Sequence, residues 1–304
     1  MVAQFKVSTG DTEAHPINRE TVEYLLAGQF PWFQRNPERR VDQYFAVCPW
    51  CNNPVQLKGL YRKQDNSPHP YGSHTGKPIN GFFHFNAVDM LFCPYKLKQH
   101  SHKKNDRRAM GEIARRLIKQ AVEEFDRIVL LLRDDFGFPF SNKFAEKMLD
   151  GWFSSEGYLY TGAHLRNLPW MIAYFGPTES LYGQYIGKNS ELTNAIREQV
   201  YGAKITGDGQ LTQTGERFFK LQLQCLHHRF DKIIDTEAPP EYMTLWVKDF
   251  SKTNFPEKAP TIYQKTITFD SDRFERLIHT ASNQANRNAA LLQISQTVAD
   301  RWRI

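Results

Sequence analysis

Between Phe45 and Cys93 the chain gathers three of its four cysteines and three of its ten histidines, His69, His74 and His84. The first two cysteines form Cys48-Pro49-Trp50-Cys51, a spacing used both for redox chemistry and for metal binding. The residues that follow separate the two. Redox proteins place a helix directly after such a pair, because the helix terminus lowers the thiol pKa. Here Asn52, Asn53 and Pro54 follow, and then Val55, Leu57 and Gly59 alternate with polar residues. That is a tight turn entering a strand, the geometry of a zinc knuckle, in which backbone N–H groups point at two thiolate sulfurs. A closed structural zinc site takes four ligands, so a second pair is needed. His84 in the strand-like "GFFHF" and Cys93 ahead of Pro94 are the expected pair. The expected ligand set is Cys48, Cys51, His84 and Cys93, with His69, His74, His100 and His102 as rivals for the histidine position. The Pro-, Gly- and Ser-rich "RKQDNSPHPYGSHTGKPING" between the pairs reads as a long loop, which a metal clip at its base would hold closed.

These residues carry a local likeness. "CPWC", "PVQLKG" and "GFFHF" together resemble the N-terminal zinc-finger segment of the competence protein CoiA family, over about 50 of the 304 residues. The resemblance implies a zinc-bound finger ahead of a nuclease-like domain. The second histidine of the family's H-F-x-H motif would fall at position 87, which is Ala87, so Cys93 has to take its place. The carboxylates and lysine of a nuclease domain find no match, and only the finger is carried over.

The net charge is +6, but it is concentrated. Nine Lys or Arg and two acidic residues lie between Lys96 and Lys119, an excess of +7, so the rest of the chain sums to slightly below zero. A localised basic patch is the electrostatic footprint of a surface that meets phosphates. The expected phosphate contacts are Lys103, Lys104, Arg107, Arg108, Arg115, Arg116 and Lys119. Most of them lie on a helix expected over 106–133, whose apolar stripe runs through Met110, Ile113, Leu117, Ala121, Phe125, Ile128 and Leu132. Arg108, Arg115 and Lys119 fall on the opposite face. Trp50 or Tyr61 is expected to stack on exposed bases.

The expected fold is α+β: a small β-rich zinc module, a mostly helical body and a C-terminal hairpin plus helix. The lead-in over 1–44 has Asn18 as a helix cap and Gly28 as a stop. The module covers 45–105. The helical domain covers 106–236, with Ser141 and Ser190 as caps, Pro169 in a first turn, and a hairpin and long helix near 190–234 that read either as an ordinary helical bundle with a tight connection or as a winged-helix-like part. Within that long helix His227 and Asp231 would lie one turn apart, a spacing that can present two metal ligands. Over 237–304, "MTLWVKDF" and "TIYQKTITF" alternate with period two as a hairpin, and a final helix runs from Asp272 to Trp302.

Four cysteines in so long a chain argue against a secreted disulfide framework, and no apolar run is long enough to span a bilayer. The expectation is a cytoplasmic protein with no membrane partner. Its expected function is zinc-dependent binding of DNA or RNA by the module and the basic helix, without catalysis. The alternatives are a metal-dependent nuclease whose finger positions substrate, and an adaptor that docks a protein partner. No phosphate-binding loop, dinucleotide fingerprint or nucleophile elbow is present.

Overall fold

The computed structural model describes residues 2–36, 41–61, 69–91, 93, 95, 102–216, 218–231, 240–280 and 286–303. His100 lies outside them, as do the charges of 96–101. The fold is α+β, and the chain divides into two compact units.

The first unit comprises 1–109 with the returning segments 160–166 and 230–240. Strands β1 (Gln4–Phe5) and β2 (His15–Pro16) pair with each other, and helix α1 (Arg19–Leu26) follows. Asn18 starts α1 as expected, its side chain accepting from the Thr21 amide at 2.8 Å. Ala27 ends the helix in the left-handed region ahead of Gly28. Four antiparallel strands then form one sheet: β3 (Phe33–Asn36), β4 (Val41–Val47), β5 (Pro54–Lys58) and β6 (Tyr71–His74), in that spatial order. Side chains alternate across a strand, so Tyr44, Ala46, Val55 and Leu57 share one face. That face is the core. Val22 and Leu26 of α1, with Val2, Phe5 and Ile17, close over it together with Cys48, Cys51 and Cys93. Gly72 sits beneath them because a Cβ there would fall 3.1 Å from Val2. The lead-in over 1–44 thus completes the core of the cysteine-bearing segment.

A short helix α2 (Ala87–Leu91) runs into Cys93. In the returning segment, Tyr160 forms an isolated β-bridge with Arg107, and Thr161 Oγ1 lies 3.0 Å from Nδ1 of the buried His102.

The second unit holds α3 (Glu112–Glu123), α4 (Phe125–Phe136), α5 (Asn142–Ser154), α6 (Leu168–Phe175), α7 (Ser190–Gln199), α8 (Ser271–His279) and α9 (Ala289–Trp302). It also holds the strand β7 (Glu179–Ser180), the hairpin β8 (Ala203–Ile205) and β9 (Leu211–Gln213), and the long strands β10 (Leu221–Phe230, all but its last residue), β11 (Glu241–Asp249) and β12 (Thr261–Thr268). The larger sheet runs β12-β11-β10-β7, with β10 antiparallel to β7 and β11 antiparallel to β12. Every residue of α6 is buried, as its unbroken apolar sequence LPWMIAYF requires. The expected hairpin of β11 and β12 is present.

Three elements differ from the sequence reading. The helix expected over 106–133 is two helices broken at Glu124. The long helix expected from Thr212 is instead β9 and β10, so His227 and Asp231 are not one helical turn apart. In β10 Leu221, Leu223 and Cys225 are buried and alternate with half-buried residues. At His227, with φ +57°, the inward position shifts by one and falls to His228. Such a shift is the signature of an extra residue in a strand. His228 is stacked on Phe269 and lies 2.6 Å from Glu241 Oε1, which also accepts from Asn167 Nδ2 at 2.5 Å. Burial pushes the His228 imidazole down to about 3, which favours its neutral form. The single helix expected over 272–302 is α8 and α9, capped by Asp270 and Asn288.

Candidate metal centre

The strands β4 and β5 hand the chain across a six-residue turn that carries Cys48 and Cys51. The Cys48 amide donates to the Asn53 carbonyl at 2.9 Å, and the Asn52 amide donates to the Cys48 carbonyl at 3.0 Å. Asn52 takes φ +56°, a left-handed conformation that Asn tolerates better than most residues. This is the knuckle that "CPWCNNP" predicts.

Cys93 arrives from a different direction, and Asn53 brings it there. The buried Asn53 side chain donates to the Cys51 carbonyl at 3.1 Å and the Asn86 carbonyl at 3.0 Å, and it accepts from the Asn86 amide at 2.7 Å. Asn86 in turn caps α2, accepting from the Val88 and Asp89 amides at 2.9 and 3.1 Å. The Cys93 amide then closes on the Met90 carbonyl at 3.3 Å. Cys48 Sγ and Cys93 Sγ stand 3.7 Å apart. Two thiolates on one tetrahedral zinc are about 3.8 Å apart, given Zn–S bonds of about 2.3 Å.

The histidine at this site is His74. It ends β6, opposite Val55, which in turn pairs with Ala46, two residues before Cys48. Its Nε2 lies 3.2 Å from Cys51 Sγ. The ligand atoms of Cys48, Cys51, His74 and Cys93 all lie within 4.8 Å of one another, and together they could hold a metal ion. His84 is not among them, and the segment 81–85, expected to be strand-like, contains no strand. The rival His102 is also elsewhere, bonded to Thr161. Strand pairing, which links β6 to the knuckle through β5, is the signal that could have found His74.

The three cysteines are buried and form no disulfide. Burial pushes the Cys48 thiol up. The thiols of Cys51 and Cys93 and the backbone N–H groups of Cys51 and Trp50 outweigh it, and they carry Cys48 well below the ordinary thiol value. Burial and the neighbouring sulfurs push Cys93 well above it. Three sulfurs in one dry site cannot all ionise without a cation among them, and a divalent metal supplies that charge. Three thiolates and an imidazole would give a metal ion four ligands and leave no position open.

The basic side chains separate into different environments. Lys103 is exposed, and Lys104 and Arg107 are half-buried, all in the first unit; Arg115 and Lys119 are exposed and Arg116 half-buried on α3 of the second. Lys119 has Glu123 3.9 Å away. Arg108 is not on a polar face. It is buried, paired with Asp89 at 2.9 Å, and it donates to the carbonyls of Tyr160 (2.6 Å) and Ala163. Burial lowers its guanidinium pKa and Asp89 offsets part of that. Trp50 is likewise buried, its ring 4.1 Å from that of His164 and 5.4 Å from that of Phe230, so it is not open for stacking. Tyr61 is half exposed, with Arg19 5.0 Å over its ring and its hydroxyl donating to Glu23 at 2.9 Å. Among the described residues, no helix is long and apolar enough to cross a membrane. The chain matches no protein-family model, no curated protein and no solved structure.

Proposed function

We propose that this chain is a nucleic-acid-binding protein whose first unit is held together by one zinc ion on Cys48, Cys51, His74 and Cys93. The observation that carries the proposal is the convergence of three buried cysteines and one histidine, from a knuckle, a strand end and a helix exit, on a single point. Their number leaves no position open for catalysis, so the ion's role is structural. Nucleic acid is the partner because the chain's positive excess is confined to one stretch, which still presents Lys103, Arg115 and Lys119 to solvent. These three replace Arg108 as the side chains that neutralise phosphates.

The test is a titration of labelled duplex and single-stranded oligonucleotides at several salt concentrations, with and without Mg²⁺. Wild type binds with a strong salt dependence and cleaves nothing. The triple change Lys103→Glu, Arg115→Glu and Lys119→Glu reduces the log–log salt slope by about one for each phosphate no longer neutralised. Equal slopes for wild type and triple variant, or no binding by wild type, would remove nucleic acid as the partner.

A further inference from the structure

The sheet of the first unit has a second face. Opposite the core side, alternation places Gln43 and Phe45 of β4, Gln56 and Lys58 of β5, and Tyr71 and Ser73 of β6 together. In register, Gln56 lies between Phe45 and Ser73, and Lys58 lies against Tyr71. Except for the buried Phe45, these side chains are half-buried. Among the described residues none of the five polar ones has a hydrogen-bond partner, and the described strand residues on this face include no carboxylate. Two amides, a hydroxyl, a phenol and an ammonium thus stand side by side with their bonding capacity unspent.

One edge of this face is aromatic. The Phe82 ring meets Phe45 edge-on at 6.4 Å, and the next residue, Phe83, is fully exposed. Phe30 belongs to the same edge: a Cβ on Gly81 would fall 2.7 Å from its ring, yet Phe30 remains 60% exposed. This edge thus carries two exposed phenylalanines.

We infer that this face binds a single strand of nucleic acid, with unpaired bases stacked on Phe83 and Phe30. The inference rests on the nucleic-acid reading above and names the form of the ligand. Flat sheets with aromatic side chains take unpaired bases, because every base offers a π-face once it leaves a duplex. Gln43 and Gln56 each offer a donor and an acceptor, which matches the edge of an unpaired base. Lys58 and Tyr71 are placed for phosphate, and with no carboxylate on the described strand residues of this face nothing there repels it. A duplex hides both the faces and the edges that these groups would meet.

Fluorescence anisotropy of the full-length protein with labelled single strands of about 12 nucleotides, and with the matching duplex, tests this. Wild type binds the single strand more tightly. Phe83→Ala and Lys58→Glu each weaken single-strand binding by about tenfold or more and leave duplex binding within about twofold. Zinc content and thermal unfolding of both variants match wild type, because both side chains reach solvent. If wild type binds duplex and single strand alike and neither variant changes either affinity, the face serves another occupant, such as a protein, and the inference is overturned while nucleic-acid binding stands. If wild type binds neither oligonucleotide, the nucleic-acid reading itself is overturned and this inference goes with it.

Discussion

At the scale of single residues, Arg108 shows how burial changes the meaning of a charge. A run of basic residues reads as a surface feature, yet this guanidinium is taken out of water and held by Asp89 and two carbonyls. Removing one partner of a buried ion pair leaves the other charge uncompensated, which costs about 3–5 kcal/mol. Arg108→Ala is therefore expected to destabilise the first unit by that amount. Arg115→Ala, exposed on α3, is expected to stay within about 0.5 kcal/mol of wild type. Denaturant unfolding of the two variants checks this. A surface role for Arg108 would make the two results alike. Replacing the pair together, as Arg108→Met with Asp89→Leu, should restore much of the stability, because no unpaired charge then remains.

At the scale of elements, the placement of His74 follows from the register of β6. The row Ala46–Val55–His74 sets that imidazole beside the turn between β4 and β5. His74→Ala is expected to lower zinc content to well below one ion per chain, while His84→Ala keeps it at one. Elemental analysis of protein purified without added metal decides between them. What is legible in the sequence is local. The knuckle, the Asn18 and Ser141 caps, Pro169 in the first turn of α6 and the β11–β12 hairpin each rest on neighbours along the chain, and each is present. What is not legible depends on partners far away in sequence. "YGSH" becomes a strand only because β5 pairs with it. The break at Glu124 has no Pro or Gly to announce it. There Arg287 donates to the Glu123 carbonyl at 2.6 Å and, with the Asn288 amide, to the Asp126 carboxylate. Similarly, "LQLQCLHHRF" fits a helix or a strand by composition, and only the neighbouring β7 and β11 decide for the strand.

At the scale of the whole molecule, the candidate metal site belongs to one unit alone. All four ligands lie in the first unit, whose core contains the three cysteines, while most of the chain's helix, α3 to α9, lies in the second. Folding free energy and metal-binding free energy are the same quantity where the ligands also build the core. Treatment with a strong chelator is therefore expected to unfold the first unit while most of the far-ultraviolet helical signal remains. Hydrogen exchange would show it directly: amides of β4, β5 and β6 should lose protection, and those of α5 and α6 should keep theirs. Equal loss of protection in both units, or none in either, would mean that the metal does not hold the first unit together.

The central claim is one zinc on three sulfurs and one imidazole nitrogen, and X-ray absorption at the zinc edge tests it most directly. The account predicts a first shell of three sulfurs at about 2.3 Å and one nitrogen at about 2.0 Å, with the outer-shell scattering of a single imidazole. That shell should lose its imidazole signature in His74→Ala and retain it in His84→Ala. A shell of oxygens, a shell with two imidazoles, or an imidazole signature that disappears with His84 instead of His74 would contradict it.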